Sequence, residues 1–125
     1  MSTPIAGVDL IAEERARQIY EESWTPEHDD EHTGCQLVDA ASSYAWAAAK
    51  QVLREPFAQP FTWPWEPAWW KPSDDPIRNL QKAGALIAAE IDRLQRQQAV
   101  AKDSAVELPD SRPVDGGVEI KRETP

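Results

Sequence analysis

The clearest hydrophobic pattern lies in the second half of the chain. Ile77, Leu80, Gly84, Ile87, Ile91 and Leu94 recur at spacings of 3, 4, 3, 4 and 3. Alternating threes and fours keep one stripe of a helix apolar, so this segment predicts a helix with a buried, heptad-like seam. Gly84 on that stripe predicts close approach of a neighbouring helix. Ser73, Asp74 or Asp75 would cap the helix and Pro76 would be its first residue, with the pattern fading through residues 95–102 (QRQQAVAK). An earlier helix is predicted from Leu37 to Leu53, turning Leu37, Ala40, Ala41, Tyr44, Ala48 and Val52 to the core. Its alanine content favours helix, and its length would be about 25 Å. A first helix would start at Asp9 as N-cap and run to about Glu22. Its apolar positions are few, namely Val8, Ile11, Ala12 and Ile19.

Two segments interrupt these helices. Residues 23–34 (SWTPEHDDEHTG) contain Thr25-Pro26, which disfavours helix before the proline, and end on Gly34. Residues 54–72 (REPFAQPFTWPWEPAWWKP) hold five prolines and four tryptophans. No regular element survives that proline density, yet disordered linkers are poor in aromatics. A long loop that is both stiff and hydrophobic is expected to pack and to carry function. From Ala99 onward no periodicity remains, and Pro109, Pro113, Gly116, Gly117 and Pro125 punctuate the stretch. The expected architecture is therefore all-α. Residues 1–98 form a single domain of three principal helices with the Trp/Pro loop packed on it, and residues 99–125 form a disordered tail.

Charge and composition narrow the functional classes. The chain of 125 residues carries a net charge of −9. That disfavours non-specific binding to nucleic acid, which needs basic surface to displace counterions. Phosphates can still be held through a metal ion or a local basic cluster. The lone Cys35 forbids an internal disulfide framework and reads as a small core residue. The start MSTPIAGVDL lacks a basic, apolar leader, and no stretch approaches the roughly 18 apolar residues of a membrane span. A cytoplasmic location without membrane contact is expected. So small a core with a heptad-like helix also predicts a homo-oligomer.

Four groups of residues could carry chemistry. Glu14, Arg17, Gln18 and Glu21 share one face of the first helix. Paired carboxylates there could hold Mg²⁺ beside a substrate phosphate, or the face could be solvated and laced with ion pairs. The run Glu27-His28-Asp29-Asp30-Glu31-His32 could supply metal ligands or a general base, or acidic charge ahead of the next helix. Among Trp63, Trp65, Trp69, Trp70 and Lys71, most rings would roof the core. One or two could stack a base while Lys71 meets a phosphate. Finally, Glu90, one position from the seam and partly buried, would need a cation, a metal or another partner, or could form a flank salt bridge with Arg93, and Lys82 and Arg78 are the other cations near the core.

Taken together, Glu13-Glu14-Arg15 with Gln18, the run Trp24–His32, Trp63-Pro64-Trp65, Trp69–Pro72 and Lys82–Leu94 resemble a family of small phage and prophage proteins. The resemblance covers roughly residues 10–96 and implies a bacterial host cytoplasm. A weaker resemblance is to all-α nucleotide pyrophosphohydrolases of the MazG type. It implies Mg²⁺ held by helix-borne carboxylates, with Glu14, Glu21 and Glu90 in such places, although Arg17 and Gln18 depart from the family's glutamate pairs. The leading expectation is a small-nucleotide site. Glu14, Glu21, Asp29 and Asp30 would hold Mg²⁺, with Glu14, Asp29 and Asp30 catalytic. Arg17, Gln18, Trp24, His28, His32, Trp69, Trp70 and Lys71 would contact the ligand. The alternatives are a non-catalytic sponge that sequesters a nucleotide immune signal, and an acidic decoy for a host protein.

Overall fold

A computed structural model describes residues 3–105, and all its regular elements are helical. The order is α1 (Gly7–Tyr20), α2 (Pro26–Asp29), α3 (Gln36–Val52), one 3₁₀ turn (Pro67–Trp69) and α4 (Pro76–Ala105). The all-α architecture with three long helices agrees with the hydrophobic pattern. Among the described residues no helix is long and apolar enough to cross a membrane. Helix α4 runs on to Ala105, so residues 99–105, expected to open the tail, continue the helix. The remainder of the expected tail lies outside the described residues.

Local chemistry explains the element ends. Helix α1 starts before the expected cap: Ala6 is its N-cap without side-chain help, and Asp9 sits in the first turn, where its charge suits the helix dipole. At α2 the Thr25 hydroxyl accepts from the His28 N–H at 3.3 Å, with Pro26 in the first turn. At α4 the Asp75 carboxylate accepts from the Ile77 N–H at 2.9 Å, ahead of which Ser73 Oγ accepts from the Asp75 N–H. Helix α3 closes with Arg54 at φ 56° and the Glu55 N–H donating to the Lys50 carbonyl at 2.9 Å. That is a Schellman closure built on a non-glycine residue. Cys35 precedes α3 at φ 68° and is exposed, which overturns its reading as a core residue: a left-handed turn on the surface is what the chain needs there.

The core lies between α3 and α4 under the Trp/Pro loop. Leu37, Ala40, Ala41, Tyr44 and Ala48 are buried as their spacing predicts, while Val52, at the last turn of α3, is exposed. Trp63 and Trp65 are buried in the core cluster, with Trp70 packed against it. The face that α4 turns inward differs from the expected one. Asn79, Ala83, Leu86, Glu90 and Arg93 are buried, whereas Ile77, Leu80, Ile87, Ile91 and Leu94 are between 39% and 57% exposed. The helix buries the stripe one residue away from its most apolar one. Small alanines on both helices, Ala40 and Ala41 of α3 and Ala83 and Ala89 of α4, share this core with Leu37 and Leu86. Gly84 on the apolar stripe meets α1 closely: a Cβ there would lie 2.5 Å from Ile11 Cδ1, so α1 crosses α4 at that point.

Candidate functional site

Helix α1 buries polar rather than apolar side chains. Val8 and Ala12 are exposed, and Ile11 and Ile19 are half-buried, while Glu14 and Gln18 are each 2% exposed. A buried carboxylate needs compensation, and three side chains supply it. Arg17 donates through Nε and Nη2 to the two Glu14 oxygens at 2.8 and 2.9 Å. Arg78 Nη1 lies 2.6 Å from Glu14 Oε1, and Gln18 Nε2 donates at 3.3 Å. Burial alone would raise the Glu14 pKa, but the hydrogen bonds and charges of Arg17 and Arg78 prevail and hold it below its ordinary value. Arg17 also donates to Glu22 at 2.8 Å.

Beyond α1, Ser23 at φ 61° turns the chain so that the Trp24 N–H donates back to the Gln18 carbonyl at 2.9 Å. This folds Trp24 over the helix it has just left. A cleft opens beside it, walled by Glu14, Arg17, Gln18, Glu22 and Trp24, by Tyr44 of α3, by Trp69 and Lys71 of the loop, and by Lys82 and Leu86 of α4. Its enclosed volume is about 80 Å³. Small-molecule pockets usually span about 300–1,000 Å³, so this cleft encloses one polar group of a ligand and leaves the rest at the rim. Trp69 forms part of that rim and is partly exposed.

The cations of the cleft are poised differently. Lys82 Nζ donates to the Lys71 carbonyl at 2.8 Å and sits 5.3 Å from the Tyr44 ring centroid. Lys71 Nζ sits 5.5 Å from the Trp69 ring centroid. Among the described residues neither lysine has a carboxylate ion-pair partner, unlike Arg17. Burial, with the charges of Arg78 and Arg17, outweighs the opposing charges of Glu14 and Glu22 and lowers the Lys82 pKa. Burial pushes the Tyr44 phenol up to about 12, so it stays protonated. The Gln18 side-chain oxygen is buried without a hydrogen-bond partner.

The expected site residues divide into groups. Glu14, Arg17, Gln18, Trp24, Trp69 and Lys71 are brought together in the cleft. Glu21 is exposed, 3.6 Å from Arg17. His28, Asp29, Asp30 and His32 are not part of the cleft wall. His32 is buried, edge-on to Trp65 with centroids 5.3 Å apart, and His28 stands edge-on to His32 at 4.9 Å and parallel to Trp24. Asp29 is fully buried and accepts from Arg15 at 2.7 Å, whereas Asp30 accepts from Arg96 at 2.8 Å. Trp70 packs beneath the cleft on Tyr44 and Trp63. Glu90 and Arg93 form a buried pair of two hydrogen bonds, the ion-pair alternative among those open for Glu90.

The four carboxylates expected to hold Mg²⁺ therefore each lie against an arginine. Among the described residues no group of three or more His, Cys, Asp or Glu side chains is placed to hold a metal ion. Glu14, engaged by two guanidinium groups and Gln18, has no lone pair left for a cation. Glu22, Tyr44, Lys82 and Leu86 complete the cleft beyond the expected site. Lys82 stood out in the sequence as a cation near the core, but its joining of Lys71 depends on the course of the Trp/Pro loop. No protein-family model matches the chain, nor does any curated protein or solved structure.

Proposed function

We propose that the protein binds a small phosphorylated aromatic ligand, of the nucleotide class, and holds it without turning it over. One observation carries the reading: a half-buried lysine without a carboxylate partner, Lys82, lies beside Lys71 in an aromatic-walled cleft of a strongly acidic chain. The Lys82 ammonium is held by the Lys71 carbonyl and the Tyr44 ring rather than by an ion pair, and an anionic group in the cleft would offset the remaining cost of burying it. A phosphate suits the enclosed volume, with a base against Trp69 at the rim and a ligand donor on the orphaned Gln18 oxygen. The arginine partners of Glu14, Asp29 and Asp30 favour sequestration over Mg²⁺-dependent hydrolysis.

The test is isothermal titration of the full chain with a panel of nucleoside mono-, di- and triphosphates and cyclic nucleotides, followed by chromatography of the recovered ligand. Binding to at least one compound is expected, with the ligand recovered intact whether or not Mg²⁺ is present. Lys71→Ala and Lys82→Ala should each weaken it by about tenfold, as expected for a charge-assisted hydrogen bond. Trp69→Ala should weaken it by about tenfold or more if the ring stacks a base. Chelator-sensitive turnover would replace sequestration with hydrolysis. Absence of binding across the panel would defeat the nucleotide reading.

A further inference from the structure

The stripe Ile77, Leu80, Ile87, Ile91 and Leu94 is the most regular apolar pattern in the chain, yet it faces outward. Isolated exposed hydrophobic residues are ordinary, but a continuous stripe at heptad spacing is a contact surface. It borders a groove of about 170 Å³ between α1 and α4, lined by Gly7, Leu10, Ile11, Ile77, Leu80 and Gln81.

We infer that the stripe is a self-association surface, and that two copies of this chain pair their α4 helices antiparallel about a two-fold axis near Ile91. Three observations select a second copy as the occupant. The first is length. Helix α4 has 30 residues against 17 in α3. Residues 97–103, near its C-terminal end, are all exposed, and within the chain Gln97, Val100 and Ala101 line an open groove shared with Asp30 and Thr33, so its last turns are thinly covered. Helical turns without tertiary cover are marginal in water. Ile91 lies at the middle of α4, so an antiparallel pair centred there lays these last turns along the other copy's α1–α4 groove. The second is charge. Beside the stripe, Gln95 and Gln98 are exposed and uncharged, Gln81 and Ala88 are half-buried on the α1 side, and Asp92 is exposed next to Ile91. An acidic chain can meet its own copy there with one like-charged pair near the axis, whereas a basic partner would find a single carboxylate beside the stripe. The third is area. The five side chains together expose on the order of 450 Å², and the α1 side of the groove adds to this, approaching the ~800 Å² per partner of a standard interface. Antiparallel pairing also opposes the two helix dipoles.

The experiment is sedimentation equilibrium of the full chain over a concentration series, alongside the Ile87→Glu/Ile91→Glu double variant. A dimer is expected for the wild type at tens of micromolar. The double variant should be a monomer, its dimerisation weakened at least about 100-fold, with its helical circular dichroism intact because both side chains point to solvent. A second measurement covers misfolding of that variant. In a Cys35→Ser background, Ile91→Cys should form an interchain disulfide readily on mild oxidation, and Val52→Cys should not. A wild type that stays monomeric at about 200 µM overturns the proposal. So does a dimer that survives the double variant, or an Ile91→Cys protein that fails to cross-link in preference to Val52→Cys.

Discussion

Glu14 shows how one buried side chain can be misread from its neighbours. Its spacing to Glu21 resembles a metal-binding pair, but Arg17 lies between them on the same face and takes both Glu14 oxygens. Arg78, which no local spacing connects to Glu14, completes the clamp from α4. Because this arrangement depresses the folded-state pKa of Glu14 below its ordinary 4.5, its stabilising contribution is present above that value. It is lost as pH falls through the lower folded value. Melting temperature should therefore drop on acidification below about pH 4, in step with protonation of such paired carboxylates. Glu14→Ala should cost about 3 kcal/mol at neutral pH, since it leaves two guanidinium groups facing a buried void, and it should flatten the acid limb. Denaturant titrations between pH 3 and 7 measure both effects. An acid limb unchanged in Glu14→Ala would mean the carboxylate carries no net stabilising charge. The histidines illustrate the same limit on legibility. His28 and His32 look like ligands in the string EHDDEH, but their four-residue spacing turns both rings toward Trp24 and Trp65.

At the scale of elements, the long helices were legible because their patterns are local. The positions of α3 and the start of α4 agree with the residue periodicity to within a residue, helped by a proline and an aspartate that leave little choice at Pro76. What the pattern could not say is which neighbour each stripe meets. The apolar stripe of α4 and its alanine-lined stripe are both compatible with a buried face; alanines on α3 decide in favour of the second. The seam position in closest contact with α1 gives a sharp test. Gly84→Ala should gain about 1 kcal/mol of helix propensity and lose about 1–3 kcal/mol to overpacking against Ile11. With three Ile11 carbons within 3.3 Å of the new Cβ, a net loss of about 1 kcal/mol is expected. In an Ile11→Ala background the same substitution should become stabilising, and a double-mutant cycle at fixed protein concentration reads that sign change. Additive effects would mean α1 does not rest on α4 through this contact.

The whole molecule combines a net charge of −9 with two interactions of opposite electrostatic character. The ligand cleft gathers Lys71, Lys82 and Arg17 against that background. The stripe on α4 is itself uncharged, with Asp92 exposed beside it, so the proposed dimer brings two acidic chains together chiefly through apolar contact. Salt acts on the two in contrary directions. Screening shortens the reach of the lysines toward an anionic ligand, and it also relieves repulsion between like-charged copies. Raising sodium chloride from about 50 to about 500 mM, which cuts the Debye length roughly threefold, should weaken ligand binding severalfold and tighten the dimer severalfold. Titration calorimetry and sedimentation on the same preparation would follow both. If ligand affinity held constant across that range, the bound group would be held by stacking rather than by charge, and the phosphate in the cleft would lose its support. If the dimer loosened with salt, ion pairs would have to bridge the copies, and an interface made of Ile77, Leu80, Ile87, Ile91 and Leu94 offers none.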